Sequence, residues 1–100
     1  MEISLKTKNI TIDSALKEFT LDRVSSLERF LHNSENLLAE VELSRTTEHH
    51  NKGEIFRAEV QIQVPGRLLR AESTREDLKI AIAEVKDQLQ IQIKKYQETR

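Results

Sequence analysis

The stretch EIFRAEVQIQVPGRLLRAES, residues 54–73, constrains the fold of this chain more than any other, because it reads as two strands hinged on the single proline. Phe56, Ala58, Val60, Ile62 and Val64 fall on one side of an extended chain, and Arg57, Glu59, Gln61 and Gln63 fall on the other. That period of two is the mark of a strand with one buried face. Pro65 presets the backbone at the second position of a turn, and Gly66 accepts the positive φ that a type II turn needs next. The chain therefore reverses at once into RLLRAES, with Leu69 and Ala71 on one face and Leu68, Arg70 and Glu72 on the other. A two-stranded hairpin is marginal in water, so its apolar face requires a cover.

Two helical segments supply that cover. From Asp13, the expected N-cap, Leu16, Phe19, Val24, Leu27, Phe30 and Leu31 recur every three to five residues and so share one side of a helix. Ser73 with Glu76, or Thr74 with Asp77, has capping-box spacing, and Leu78, Ala81, Ile82, Val85, Leu89, Ile93 and Tyr96 then form a long apolar stripe. EISLKTK at 2–8 alternates as a strand, with Ile3, Leu5 and Thr7 on one face, and Leu37, Ala39, Val41 and Leu43 alternate as another. HNSEN at 32–36 reads as a turn, and TTEHHNKG at 46–53 as an exposed hairpin loop. The order is β-α-β-β-β-α. It predicts one α+β domain over residues 1–100, with both helices on one face of a four-stranded, antiparallel-type sheet in the manner of double-stranded-RNA-binding domains.

Composition narrows the chemistry. With 100 residues, a domain buries roughly two thirds of its unfolded surface, so it needs no staple. The absence of cysteine removes disulfides, thiolate metal sites and cysteine nucleophiles together. No apolar run reaches membrane-spanning length and MEISLKTKNI is no signal peptide, which leads to the expectation of a cytoplasmic protein without membrane contact. Glu40, Glu42, Glu59 and Glu72 alternate on the solvent side of strands, where charge is ordinary, and they suggest no catalytic acid pair. His49 and His50 beside Glu48 are adjacent in a loop and lack the i,i+4 spacing of helical metal ligands, while His32 suits a helix C-terminus. The two glycines are far apart, so no phosphate loop exists. The expectation is a protein without enzymatic activity, cofactor, metal or small-molecule substrate.

What remains is charge. The sheet's outward residues are Lys, Glu, Gln, Ser and Arg, with no aromatic platform on which bases could stack. The helices carry Lys17, Arg23 and Arg29, then Arg75, Lys79, Lys86, Lys94 and Lys95, among enough carboxylates for a formal net charge of -1. Ile80 and Ile91, eleven residues apart, share a side of the second helix away from its stripe.

Three strings, ITIDSALKEF, SSLERFL and VPGRLLRAESTREDLKIAIAEVKDQLQIQIKKYQ, resemble the ribosome hibernation promoting factors and ribosome-associated translation inhibitors. The likeness is strongest to the N-terminal domain of the long form. That resemblance implies a domain that binds the small ribosomal subunit, meeting 16S rRNA over the decoding region and blocking mRNA and tRNA. By position it implies Lys17, Arg23, Arg29, Arg70, Lys86, Lys94 and Lys95 as rRNA contacts. Ser26, Gln88 and Ile91 stand where the family is commonly basic, Lys79 where Tyr is usual and Ala83 where Asp is usual. The family's long forms add a C-terminal dimerisation domain, and a natural short form is expected to be a monomer. Two alternatives remain, one sharing only helices packed on a three-stranded antiparallel sheet and the other the whole fold. A double-stranded-RNA-binding domain would want a lysine-rich start to its last helix, which Glu76 and Asp77 oppose. A protein-interaction module that has lost much of the RNA face would use Ile80, Ile91 and the sheet.

Overall fold

The computed structural model describes residues 1–31, 37–46 and 55–99. The expected turn at 32–36, residues 47–53 of the expected loop and all three histidines lie outside the described residues. The elements are β1 (Glu2–Lys8), α1 (Ser14–Ser25), a 3₁₀ turn (Ser26–Phe30), β2 (Leu38–Arg45), β3 (Phe56–Val64), β4 (Arg67–Arg75) and α2 (Leu78–Glu98). The expected α+β order holds, and the strands form one sheet in the order β1-β2-β3-β4.

One pairing differs from expectation. β2–β3 and β3–β4 are antiparallel, but β1 runs parallel to β2, so the sheet is mixed. The reason is the connection: α1 carries the chain back over the sheet, and a strand-helix-strand crossover delivers the second strand parallel to the first.

Two helix boundaries also differ. Asp13 caps α1 as expected, its Oδ1 accepting the Leu16 N–H at 2.8 Å. The first helix, however, tightens into the 3₁₀ turn at Ser26. There the Ser25 hydroxyl donates to Asp22 O at 3.2 Å and the Ser26 hydroxyl to Arg23 O at 2.6 Å, taking up carbonyls of the last α-turn. At the second helix neither expected capping box forms. Pairing with β3 keeps β4 extended as far as Arg75, and Asp77 becomes the cap, accepting from the Lys79 N–H at 2.9 Å.

The hairpin register follows from the turn. Gly66 has φ +81, as the second central position of a type II turn requires, and Val64 pairs with Arg67. On the inner face, Ala39, Val41, Leu43, Ala58, Val60, Ile62, Leu69 and Ala71 are buried beneath the helices. α2 lays Leu78, Ala81, Ile82, Val85, Leu89, Ile93 and Tyr96 on them, and α1 adds Val24. The Tyr96 hydroxyl donates to Pro65 O at 2.8 Å, which fastens the end of α2 to the turn. Glu84 accepts from the Ser73 hydroxyl at 2.6 Å and pairs with Arg75 Nε at 2.9 Å, fastening its beginning. Between them, the Gln92 amide accepts the Arg70 N–H at 3.2 Å and donates to Arg70 O at 2.8 Å. A side chain thus satisfies the outward backbone of Arg70 at the β4 edge.

The open face is a charge lattice. Glu42, Glu59 and Glu72 stand directly opposite one another on β2, β3 and β4, an arrangement of like charges that destabilises a sheet. Arg57 and Arg70, from the flanking rows, offset it: each pairs with both Glu59 and Glu72. The hydrogen bond and charge of Arg57, with a smaller contribution from Arg70, hold the Glu72 carboxyl below the ordinary glutamate range.

The core and the lattice can be probed separately. Leu89→Ala, at a fully buried position, should lower unfolding free energy in urea titrations by about 2–5 kcal/mol, whereas Ile91→Ala, more than half exposed, should change it by about 0.5 kcal/mol at most. Because the folded-state pKa of Glu72 is depressed, its contribution is complete above the unfolded glutamate pKa and is lost as pH falls through the folded value. Stability of the parent should therefore decline across that acidic window more steeply than that of Glu72→Gln, as read by thermal unfolding at stepped pH.

Candidate nucleic-acid interface

The parallel crossover and the α2 stripe set the two helices side by side on one face of the sheet, and a groove runs between them. At one end Phe19 of α1 is only half-buried. The Arg23 guanidinium lies over its ring at 4.8 Å, and Lys79 Nζ of α2 approaches the same ring at 5.7 Å. At the other end Phe30, in the 3₁₀ turn, carries Arg29 at 4.9 Å and Lys94 Nζ of α2 at 5.6 Å. Each ring thus holds one cation from each side of the groove. Between them, Arg23, Ala83, Lys86 and Asp87 line a shallow depression of about 220 Å³.

This arrangement keeps positive charge available. A cation over an aromatic face gains about 0.5–1 kcal/mol at an exposed site, which orients the side chain without neutralising it. Among the described residues, Arg23, Arg29, Lys79 and Lys94 make no ion pair with any carboxylate. Lys86 is more restrained, donating to Gln90 Oε1 at 2.9 Å and lying 3.5 Å from Asp87.

The seven candidate residues are therefore sorted into separate places. Arg23, Arg29, Lys86 and Lys94 share the interhelical groove. Lys17 lies on the far side of α1, beside Leu21 and over Ile3 and Leu5 of β1. Lys95 follows Gln92 by three residues and so stands toward the β4 margin. There Arg67 lies 5.8 Å from the Tyr96 ring. Arg70 points to the opposite face of the sheet, where Glu59 and then Glu72 hold its guanidinium charged and raise its pKa. Lys79, absent from the sequence-based set, belongs to the groove. The i,i+4 spacing of Phe19 and Arg23 is a signal within α1, but only the packing of α2 brings Lys79 to the same ring.

Known proteins share both fold and sequence. The N-terminal domain of Thermus thermophilus Protein Y matches with a TM-score of 0.78 at 30% identity, covering 96% of this chain and 99% of that one. A ribosomal subunit interface protein from Coxiella burnetii shares the fold, with a TM-score of 0.75 at 19% identity and coverage of 98% and 99%. Among curated proteins, the ribosome hibernation promotion factor of Lactococcus lactis is 26% identical over 96% of this chain and 49% of its own length. That of Deinococcus radiodurans is 30% identical over 92% of this chain and 47% of its own. The chain spans about half the length of these two relatives. Residues 3–100 match the family described as Sigma 54 modulation protein / S30EA ribosomal protein, and with the fold, the helix pair and the relatives in agreement, the chain belongs to that family of ribosome-associated proteins.

Proposed function

We propose that this domain inhibits translation by binding the small ribosomal subunit over the decoding region, where it blocks access of mRNA and tRNA. The observation that carries this reading is the row of ring-supported cations along the interhelical groove, none of which forms an ion pair among the described residues. Phosphate contacts of this kind need no base sequence, since Lys and Arg replace counterions along an RNA backbone wherever its shape fits. The groove presents charge from two rigid helices, so it recognises how phosphates are placed in a folded rRNA. Arg23, Arg29, Lys79, Lys86 and Lys94 form the main contact, Lys17 and Lys95 extend it on either flank, and Arg70, held by Glu59 and Glu72 on the opposite face, adds little to it. The names of the relatives support this reading, as hibernation promotion factors and a subunit interface protein. In this reading the domain acts in the cytoplasm, by occlusion and without a catalytic step.

Ile80 and Ile91, 48% and 56% exposed on the solvent side of α2, favour a second reading in which the helix meets a protein. Cosedimentation with purified small subunits separates the two. The parent should bind at low salt and weaken as salt rises, and Arg23→Gln/Lys79→Gln/Lys94→Gln should flatten the log-log salt slope by about 0.7–0.9 for each phosphate left without its cation. Arg70→Gln should bind like the parent within about twofold, in keeping with the small effect of a charge already paired at an exposed site. Absence of binding by the parent at low salt would overturn the ribosomal reading and leave the Ile80/Ile91 surface.

A further inference from the structure

The two edges of the sheet are finished differently. At β4 the Gln92 amide occupies the backbone of Arg70. At β1 nothing among the described residues does the same. Glu2 donates inward to Leu37 O at 2.8 Å, and in a parallel ladder this turns the backbone of residues 2, 4, 6 and 8 toward β2 and that of Ile3, Leu5 and Thr7 outward. Beside that edge, on the helical side, runs an open groove of about 490 Å³ lined by Ile3, Leu5, Thr7, Ile12, Lys17 and Leu21. The apolar members of this set are only half-buried. Unpaired backbone next to an apolar groove is the geometry that accepts an added strand.

The strand that fits is β1 itself. Its solvent-side residues run Glu2, Ser4, Lys6, Lys8, acidic at the start and basic at the end. Laid antiparallel to a second copy about Leu5, the seven residues pair along their whole length. Glu2 meets Lys8 at both ends, Ser4 meets Lys6, Ile3 meets Thr7 and Leu5 meets Leu5, and no like charges stand directly opposite. The outward N–H and C=O groups of residues 3, 5 and 7 face those of 7, 5 and 3. Lysines on an edge strand ordinarily discourage pairing, but Glu2 gives Lys8 a partner in this register. We propose that two copies of this chain associate through β1, joining their four-stranded sheets into one continuous sheet with a two-fold axis at Leu5. This departs from the monomer expected for a short form, and it leaves the α1/α2 groove open, because β1 lies on the far side of α1. Lys17 alone among the seven candidate cations stands at the junction.

Sedimentation velocity of the purified chain from micromolar to millimolar concentration tests the proposal. The sedimentation coefficient should rise with concentration. Thr7→Pro removes an outward N–H that the ladder with β2 does not use, and should weaken association at least about tenfold while the far-UV spectrum and urea midpoint keep the fold in view. Glu2→Lys and Lys8→Glu should each weaken it, because like charges then face each other. The double variant Glu2→Lys/Lys8→Glu should restore it, as should mixing the two single variants, whose charges are complementary. A coefficient that stays constant up to millimolar protein would overturn the proposal. So would association that all these variants leave unchanged, since it would then use another surface.

Discussion

A parallel strand pair cannot be closed by a tight turn, and β1 with β2 is such a pair, so the chain between them must cross the sheet. That requirement sends α1 over the face that the alternating residues of β2, β3 and β4 have made apolar. α2, arriving from the other edge, needs the same face for its stripe of Leu78 to Tyr96. The two helices are thereby forced into one layer. The groove between them, with Phe19 and Phe30 half-buried at its ends, is a consequence of that crowding. Local sequence around either helix contains no groove, and the fold creates one because both helices compete for a single surface.

Charge is sorted by the same layering. A net charge of -1 gives no hint of a basic surface. In the folded chain, Arg57 and Arg70 are held by Glu59 and Glu72 on the open face, while Arg23, Arg29, Lys79 and Lys94 rest on aromatic rings on the other. The sheet needs its arginines because the register sets Glu42, Glu59 and Glu72 in one row. The groove keeps its cations because its platforms are rings instead of carboxylates. A neutral composition thus divides into a face whose arginines are paired with glutamates and a helical side on which four cations along the groove form no ion pair among the described residues.

The sheet's edges show a similar division of labour. β4 lies where α2 can reach it, so Gln92 satisfies the backbone at Arg70. β1 lies beyond α1, whose residues Lys17 and Leu21 line a groove without covering the strand. A mixed sheet of this order leaves its two ends chemically unequal, with a side chain bonded to the outer backbone at Arg70 of β4 and none bonded to that of β1 among the described residues.

The sequence alone determined the alternation of β3 and β4, the Pro65-Gly66 reversal, the Asp13 cap, the α2 stripe and the order of elements. Each depends on residues close together in the chain, where steric preference and periodicity act directly. The resemblance also named Arg23, Arg29, Lys86 and Lys94, which the fold brings to one groove. Tertiary structure decided what depends on neighbours distant in sequence. It set β1 parallel to β2, extended β4 to Arg75 against the capping boxes at Ser73 and Thr74, and turned Arg70 toward Glu59. It also brought Lys79 of the second helix to Phe19 of the first. Periodicity identifies which side of an element is buried, but packing selects the partner that side meets, and here the partner determines which charges remain unpaired.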